Sequence, residues 1–250
     1  MRKTDIFWDI PVALALLTRL PLPRIPERCF AHQARAAWAF PLAGLLVAGA
    51  ACAIGVTALR LGLPPLAAAG LLLATQTILT GAMHEDGLAD SADGLWGGFT
   101  RDRRLEIMKD SLIGSYGVLA LILVTGLRWI ALAYVLPNGG VSAVLACAVL
   151  SRAPLAGLMT VVPPARTGGL SRSVGRPGSR ASSVAICLAL GGTLLIAPTA
   201  VMPATLAILA VSLATALIVK AKIGGQTGDI LGATQVLGET AALLTLTALL

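Results

Sequence analysis

His84-Glu85-Asp86-Gly87-Leu88-Ala89-Asp90-Ser91-Ala92-Asp93-Gly94 follows directly on an apolar run and carries four carboxylates in a chain otherwise poor in charge. Asp86, Asp90 and Asp93 stand at i, i+4 and i+7. At about 100° per residue, a helix carries all three on one face. Carboxylates so spaced repel one another unless a cation lies between them, and oxygen ligands suit a hard ion such as Mg²⁺ or Mn²⁺. Gly87 and Gly94 suit a close backbone approach or a distorted turn. Taken alone, the pattern is equally compatible with a solvated acidic loop whose aspartates cap helices. The surroundings favour metal: seven of the twelve acids in the chain lie between Glu85 and Asp110.

Composition decides the environment. The 250 residues are 56% hydrophobic and 12% charged, with a mean hydropathy of +0.85. A soluble domain carries about 25% charged residues, so the chain reads as an integral membrane protein. Its net charge of +7 points to topology and anionic lipid, not to nucleic acid. Cys29, Cys52, Cys147 and Cys187 are widely spaced, which supports neither a disulfide framework nor a thiolate metal site.

Apolar runs of about 20 residues, the length a bilayer core needs, predict spans at roughly 36–59, 63–83, 112–136, 140–162, 182–200, 202–220 and 236–250. Ile6–Leu17 is too short to span and reads as an interfacial or re-entrant helix. The expectation is a single-domain, all-α polytopic helical bundle covering residues 1–250. Lys and Arg orient it. Sixteen lie in the N-terminal segment, in 84–111, in 163–181 and at Lys220 and Lys222, against Arg60 alone on the opposite side. All three long loops are therefore expected to face the cytoplasm, which requires an odd number of spans.

Each loop carries candidate chemistry. Asp110 stands where the chain is expected to enter the third span and would cap a helix or bind metal. Asp102 and Glu106 read as a solvated face. The stretch from Thr167 to Arg180 interleaves glycines, hydroxyls and arginines, which suits either phosphate or an ordinary basic loop. Gly224-Gly225-Gln226-Thr227-Gly228-Asp229 is dense enough in glycine to line a polar cavity at a membrane boundary. Arg128 and Arg152 fall inside predicted spans and need partners; Arg152, near mid-span, suits a substrate anion. His84 reads as a general base, a metal ligand or an interfacial cap.

Carboxylates beside glycine-rich and arginine-rich loops suit metal-assisted phosphoryl transfer. Asp86-Gly-Leu-Ala-Asp90-x2-Asp93 partly resembles the acidic core of CDP-alcohol phosphatidyltransferases, with Asp90 after the alanine where those enzymes carry Arg. A transporter is a further alternative, though it would place its acids near the midplane. A closer resemblance covers nearly the whole chain. Residues 84–94, 103–117, 169–177 (Gly-Leu-Ser…Gly-Arg-Pro) and 224–233 look like the cobalamin synthase family in motif order and spacing, with Leu112 where that family often has Arg.

The resemblance implies an inner-membrane enzyme that joins α-ribazole, or its 5′-phosphate, to adenosylcobinamide-GDP, releases GMP and uses Mg²⁺. It implies metal ligation by Asp86, Asp90 and Asp93, with Asp110 and Asp229 as further ligands. Arg152, Arg172 and Arg176, with Gly225, Gln226 and Thr227, would hold phosphate, and His84 or an aspartate would take the hydroxyl proton. Expected partners are the two small-molecule substrates, membrane lipid and, compatible with the pattern, further copies of the chain as a homo-oligomer.

Overall fold

The computed structural model describes residues 3–249. A 3-10 turn, Lys3–Trp8, leads into α1 (Asp9–Leu17); α2 (Glu27–Phe30) and a 3-10 stretch, Gln33–Ala39, precede α3 (Phe40–Arg60). There follow α4 (Pro65–Thr80), α5 (Met83–Gly97), α6 (Arg101–Ile107), α7 (Ser115–Val135), α8 (Val141–Leu150), α9 (Ala153–Val161) and α10 (Leu170–Val174). The last three are α11 (Ser179–Ile196), α12 (Val201–Lys222) and α13 (Gly228–Thr247). The only β pairing among the described residues is an isolated parallel bridge between Pro164 and Gln226. Among the described residues six helical stretches are long and apolar enough to cross a membrane, and a seventh if α4 and α5 count as one broken span. The chain is thus an all-α polytopic integral membrane bundle, with the short apolar helix Ile6–Leu17 near its N-terminus.

Small residues bring the helices together, as they do where no water drives association. A Cβ on Gly44 would strike the Ala148 carbonyl, and one on Gly55 would press on Leu72 and Leu136. Prolines open α3, α4 and α9 in their first turns, where a missing N–H costs nothing. α1 is held by Asp9, whose buried carboxylate accepts from Arg35 Nη2 at 2.7 Å and from Trp38 Nε1 at 3.0 Å.

The structure departs from the predicted spans where polar residues interrupt apolar ones. The run 63–83 ends at Thr80, where the chain bends by 86° into α5. Gly81 and Ala82 are both left-handed, with φ of 65° and 56°, and Ala82 N–H reaches back to the Thr77 carbonyl at 2.8 Å. That is a Schellman closure of α4, followed at once by a new helix. The span expected at 140–162 is present as Val141–Val161, with a short interruption of its helix at Ser151–Arg152 between α8 and α9. α13 begins at Gly228, eight residues before the apolar run suggested, so Asp229 sits in its first turn and not in a loop.

Candidate active site at the α5–α13 crossing

The acidic motif is helical, as its spacing requires: Asp86, Asp90 and Asp93 all lie on α5. Asp86 is exposed, Asp90 half-buried and Asp93 buried. α5 crosses α13 at Gly87, where an added Cβ would lie 2.6 Å from the Asp229 carbonyl oxygen. Only glycine lets the two backbones meet there. The crossing brings Asp229 to the acidic face of α5. The charges of Asp86, Asp229 and Asp93 all act on Asp90, and Arg166 opposes them.

Arg166 enters from the loop after α9. Its Nη2 donates to Asp229 Oδ2 at 3.0 Å, and Thr227 Oγ1 lies 3.1 Å from the same oxygen. Thr227 also caps α13, accepting from Ile230 N–H at 3.3 Å. Gln226 is a brace: its N–H donates to the Pro163 carbonyl, its own carbonyl accepts from Ala165 N–H, both at 2.8 Å, and its Oε1 accepts from Ser171 Oγ at 2.7 Å. Gly225 has no room for a Cβ against the Pro163 carbonyl. The glycine-rich segment is therefore fixed backbone that closes the loops onto one another. Arg101 completes the closure, donating to the Ala165 carbonyl at 2.6 Å and the Ile223 carbonyl at 3.0 Å, while Arg104 Nη1 takes the Lys222 carbonyl at 3.0 Å. Cations at the last carbonyls of α12 also oppose its dipole.

Several expected site residues land elsewhere. Asp93 turns to α7: its oxygens accept from Gly114 N–H at 2.7 Å and Gly117 N–H at 2.9 Å, so it caps that helix. Asp110, expected to cap this span, instead accepts from Leu112 N–H at 3.2 Å in an exposed loop, because α7 starts only at Ser115. Arg152 is not at the loop face. It is 3% exposed and donates to the Ala148 carbonyl at 2.8 Å and to Glu239 at 3.3 Å. Arg172 is exposed on α10, and Arg176 donates to the Thr160 carbonyl. His84 lies roughly 160° around α5 from Asp86; it is buried, and its Nε2 meets no carboxylate. Asp102 and Glu106 are solvent-facing, as expected.

A buried polar network beneath the crossing escaped sequence reasoning. Glu239, fully buried, accepts from Arg128 Nη2 at 2.9 Å, from Gln235 Nε2 at 2.5 Å and from Arg152. Arg128 also donates to Glu85 at 3.1 Å and to Gln76 at 3.0 Å. Two arginines and two glutamates thus neutralise one another inside the bundle, so Arg128 does not snorkel. The legible signals were Gln235 and Glu239 at i, i+4 and Gln76 alone in an apolar helix. Arg166 was visible only as one cation of a basic loop.

The donor set at the crossing fits a hard divalent ion. All its ligand atoms are oxygens, and carboxylates outnumber the single nearby arginine. Among the described residues no three His, Cys, Asp or Glu side chains already form a metal cage. Mg²⁺ commonly needs none, since it takes one or two carboxylates and completes its shell with water and substrate phosphate.

Fold and site together define a polytopic membrane protein whose acidic residues gather where two helices cross at one end of the bundle. The Cobalamin-5-phosphate synthase family matches residues 9–247, and the chain belongs to that family. It is similar to the adenosylcobinamide-GDP ribazoletransferase of Bradyrhizobium diazoefficiens, 46% identical over 96% of this chain and 93% of that protein. The protein of the same name from Azorhizobium caulinodans is 45% identical over 98% of this chain and 97% of its own length. That of Rhizobium meliloti is 43% identical over 96% and 95%. No solved structure matches the chain. The chain is thus a membrane-embedded enzyme of cobalamin biosynthesis, not a lipid synthase or a transporter.

Proposed function

We propose that the chain joins α-ribazole, or its 5′-phosphate, to adenosylcobinamide-GDP, giving adenosylcobalamin, or its 5′-phosphate, and GMP. A ribose hydroxyl oxygen bonds to the corrinoid-side phosphorus. The bond from that phosphorus to the oxygen bridging the diphosphate breaks, GMP leaves with that oxygen, and the hydroxyl proton is lost. The observation that carries this reading is the convergence of Asp86, Asp90 and Asp229 beside Arg166. Mg²⁺ held by one or two of Asp86, Asp90 and Asp229 would offset the charge of the diphosphate when bound. Arg166 fixes Asp229, and Arg172 on the neighbouring α10 is free to meet phosphate. Asp93 and Gln226 hold the frame. The fit of the site to a diphosphate and the relatives' names support this choice of substrates.

Purified protein supplied with both substrates and Mg²⁺ should yield a corrinoid carrying its lower ligand, and EDTA should abolish the yield reversibly. Absence of that product in a folded, lipid-reconstituted preparation would overturn the reading. The sixteen-to-one cation bias further supports a bacterial inner-membrane location with the crossing on the cytoplasmic side.

A further inference from the structure

Two neighbouring spans leave an opening between them. α12 packs mainly on α13 and meets α11 chiefly through the turn at 198–200. Between α11 and α12, with the α8–α9 span as its floor, lies a cavity of about 490 Å³. That falls within the range of small-molecule pockets, ~300–1,000 Å³. Ile186, Leu209 and Leu213 on its walls are exposed, so it opens outward from the bundle. Its walls come from Val141–Val161, Ser179–Ile196 and Pro198–Lys222, each long and apolar enough to cross a membrane. The medium at its mouth is therefore lipid.

The walls suit neither water nor a polar ligand. Ser212 already donates to the Ile208 carbonyl at 2.8 Å, and Thr205, the other hydroxyl, cannot alone hold a buried water, which needs two to four polar partners. Left empty, the space would forfeit dispersion contacts along three spans. Its length is that of one leaflet. On the α8–α9 span the lining covers residues 150–162, from mid-span to the end that carries the candidate site. That is about 18 Å of helix, against roughly 15 Å for half of a ~30 Å hydrocarbon core.

A cation stands at that same end. Thr205, Leu209, Ser212 and Ala216 share one face of α12, and Lys220, one turn past Ala216, continues it at about 100° per residue. Lys220 is exposed, whereas Lys222 is engaged with the Leu95 carbonyl at 2.7 Å. Arg180, in the first turn of α11, is exposed at this end too.

We propose that the groove binds one anionic phospholipid, with an acyl chain between α11 and α12 and the phosphate headgroup at Lys220 and Arg180. The apolar walls accept the chain of any lipid, and the cations select a negative headgroup. A second copy of the chain is a poorer occupant. In the same orientation it would bring its own cationic loops to this end, and its helices would run the full ~30 Å of the core. The bound lipid stands beside the frame of the candidate site: α9 and α12 continue directly into 163–165 and 223–226, which are joined through Gln226.

The test uses the full chain, stripped of lipid in detergent and titrated with dioleoyl phosphatidylglycerol or dioleoyl phosphatidylcholine, with bound lipid counted by native mass spectrometry. Wild-type protein should bind one phosphatidylglycerol about 25-fold tighter than phosphatidylcholine, roughly fivefold for each cation near the headgroup. Lys220→Gln should cut that preference about fivefold. A Cβ on Gly157, which lines the groove, meets nothing within 4 Å. Gly157→Phe therefore fills the groove without crowding its neighbours and should abolish the preference. Gly126→Phe, equally open but on α7 and outside the groove, should leave it intact.

Equal binding of the two lipids to wild type, a preference that survives Gly157→Phe, or one lost equally in Gly126→Phe would each overturn the proposal. So would a wild-type dimer that Gly157→Phe converts to monomer, since a second copy would then cover the groove. If Gly157→Phe does not fold, the lipid pair on wild type and on Lys220→Gln decides instead.

Discussion

Replacing Glu239 by Gln keeps the shape of the side chain and removes one charge from the middle of the bundle. In the native chain Arg128 and Arg152 are balanced by Glu85 and Glu239, all four buried or nearly so. Glu239→Gln leaves a net positive charge in an apolar interior. Removing one partner of a buried pair typically costs about 3–5 kcal/mol. For a chain of this length each kcal/mol moves Tm by roughly 2–4 °C, so the fall should be about 6–20 °C. Tryptophan fluorescence during thermal unfolding in nanodiscs would read it. Adding Arg152→Met restores neutrality at similar volume, and the double variant should regain most of the loss. The two substitutions must then be strongly non-additive. A fall in Tm below about 2 °C in the single variant, or simple additivity in the double, would refute the charge-balance argument.

Other expectations concern the crossing and its orientation. Gly87→Ala would set a methyl 2.6 Å from the Asp229 carbonyl and force α5 and α13 apart. A displacement of that kind can cost on the order of 100-fold in rate; unchanged turnover would show that the carboxylates need not meet. Asp229→Asn should raise the Mg²⁺ concentration for half-maximal rate by about 10–100-fold, the usual scale for losing a group that supports a metal, with partial rescue by excess Mg²⁺. An unaltered Mg²⁺ requirement would remove Asp229 from the site. Single cysteines placed in 84–111, 163–181 and 221–227 of a Cys-free variant should resist an impermeant thiol reagent in intact cells, and labelling of any one would invert the proposed topology.

The spans were legible because each is a long apolar run, and their packing follows from glycines and alanines that the sequence displays. The carboxylate spacing on α5 was legible for the same reason: a 3.6-residue period fixes which side chains share a face. The bend that aims α5 was not. Ala82 is left-handed at φ 56°, a conformation its type gives no hint of. The start of α13 was hidden because hydropathy penalises Asp229, Gln235 and Glu239, although each finds a partner in the fold. Asp93 was read as a metal ligand because spacing reports the shared face but not the neighbouring helix N-terminus that claims it.

These hidden features act together on the site. α5 and α13 carry the carboxylates and pack along their length, Leu88 clustering with Ala233 and Val236, and two further contacts help to hold them in register. One is the crossing at Gly87, where backbone meets backbone. The other is Arg128, reaching from α7 to Glu85, the residue before Asp86, and to Glu239, ten residues or about 15 Å along α13 from Asp229. Gly232, packed on the Met83–His84 backbone, adds another close approach along the pair, so distance and angle are fixed together. The second is made of charges, and in a low-dielectric interior a paired charge is costly to separate. Burial in a membrane bundle therefore strengthens the clamp that keeps repelling carboxylates close together. A solvated clamp of the same geometry would contribute under about 1 kcal/mol and would yield to their repulsion more readily.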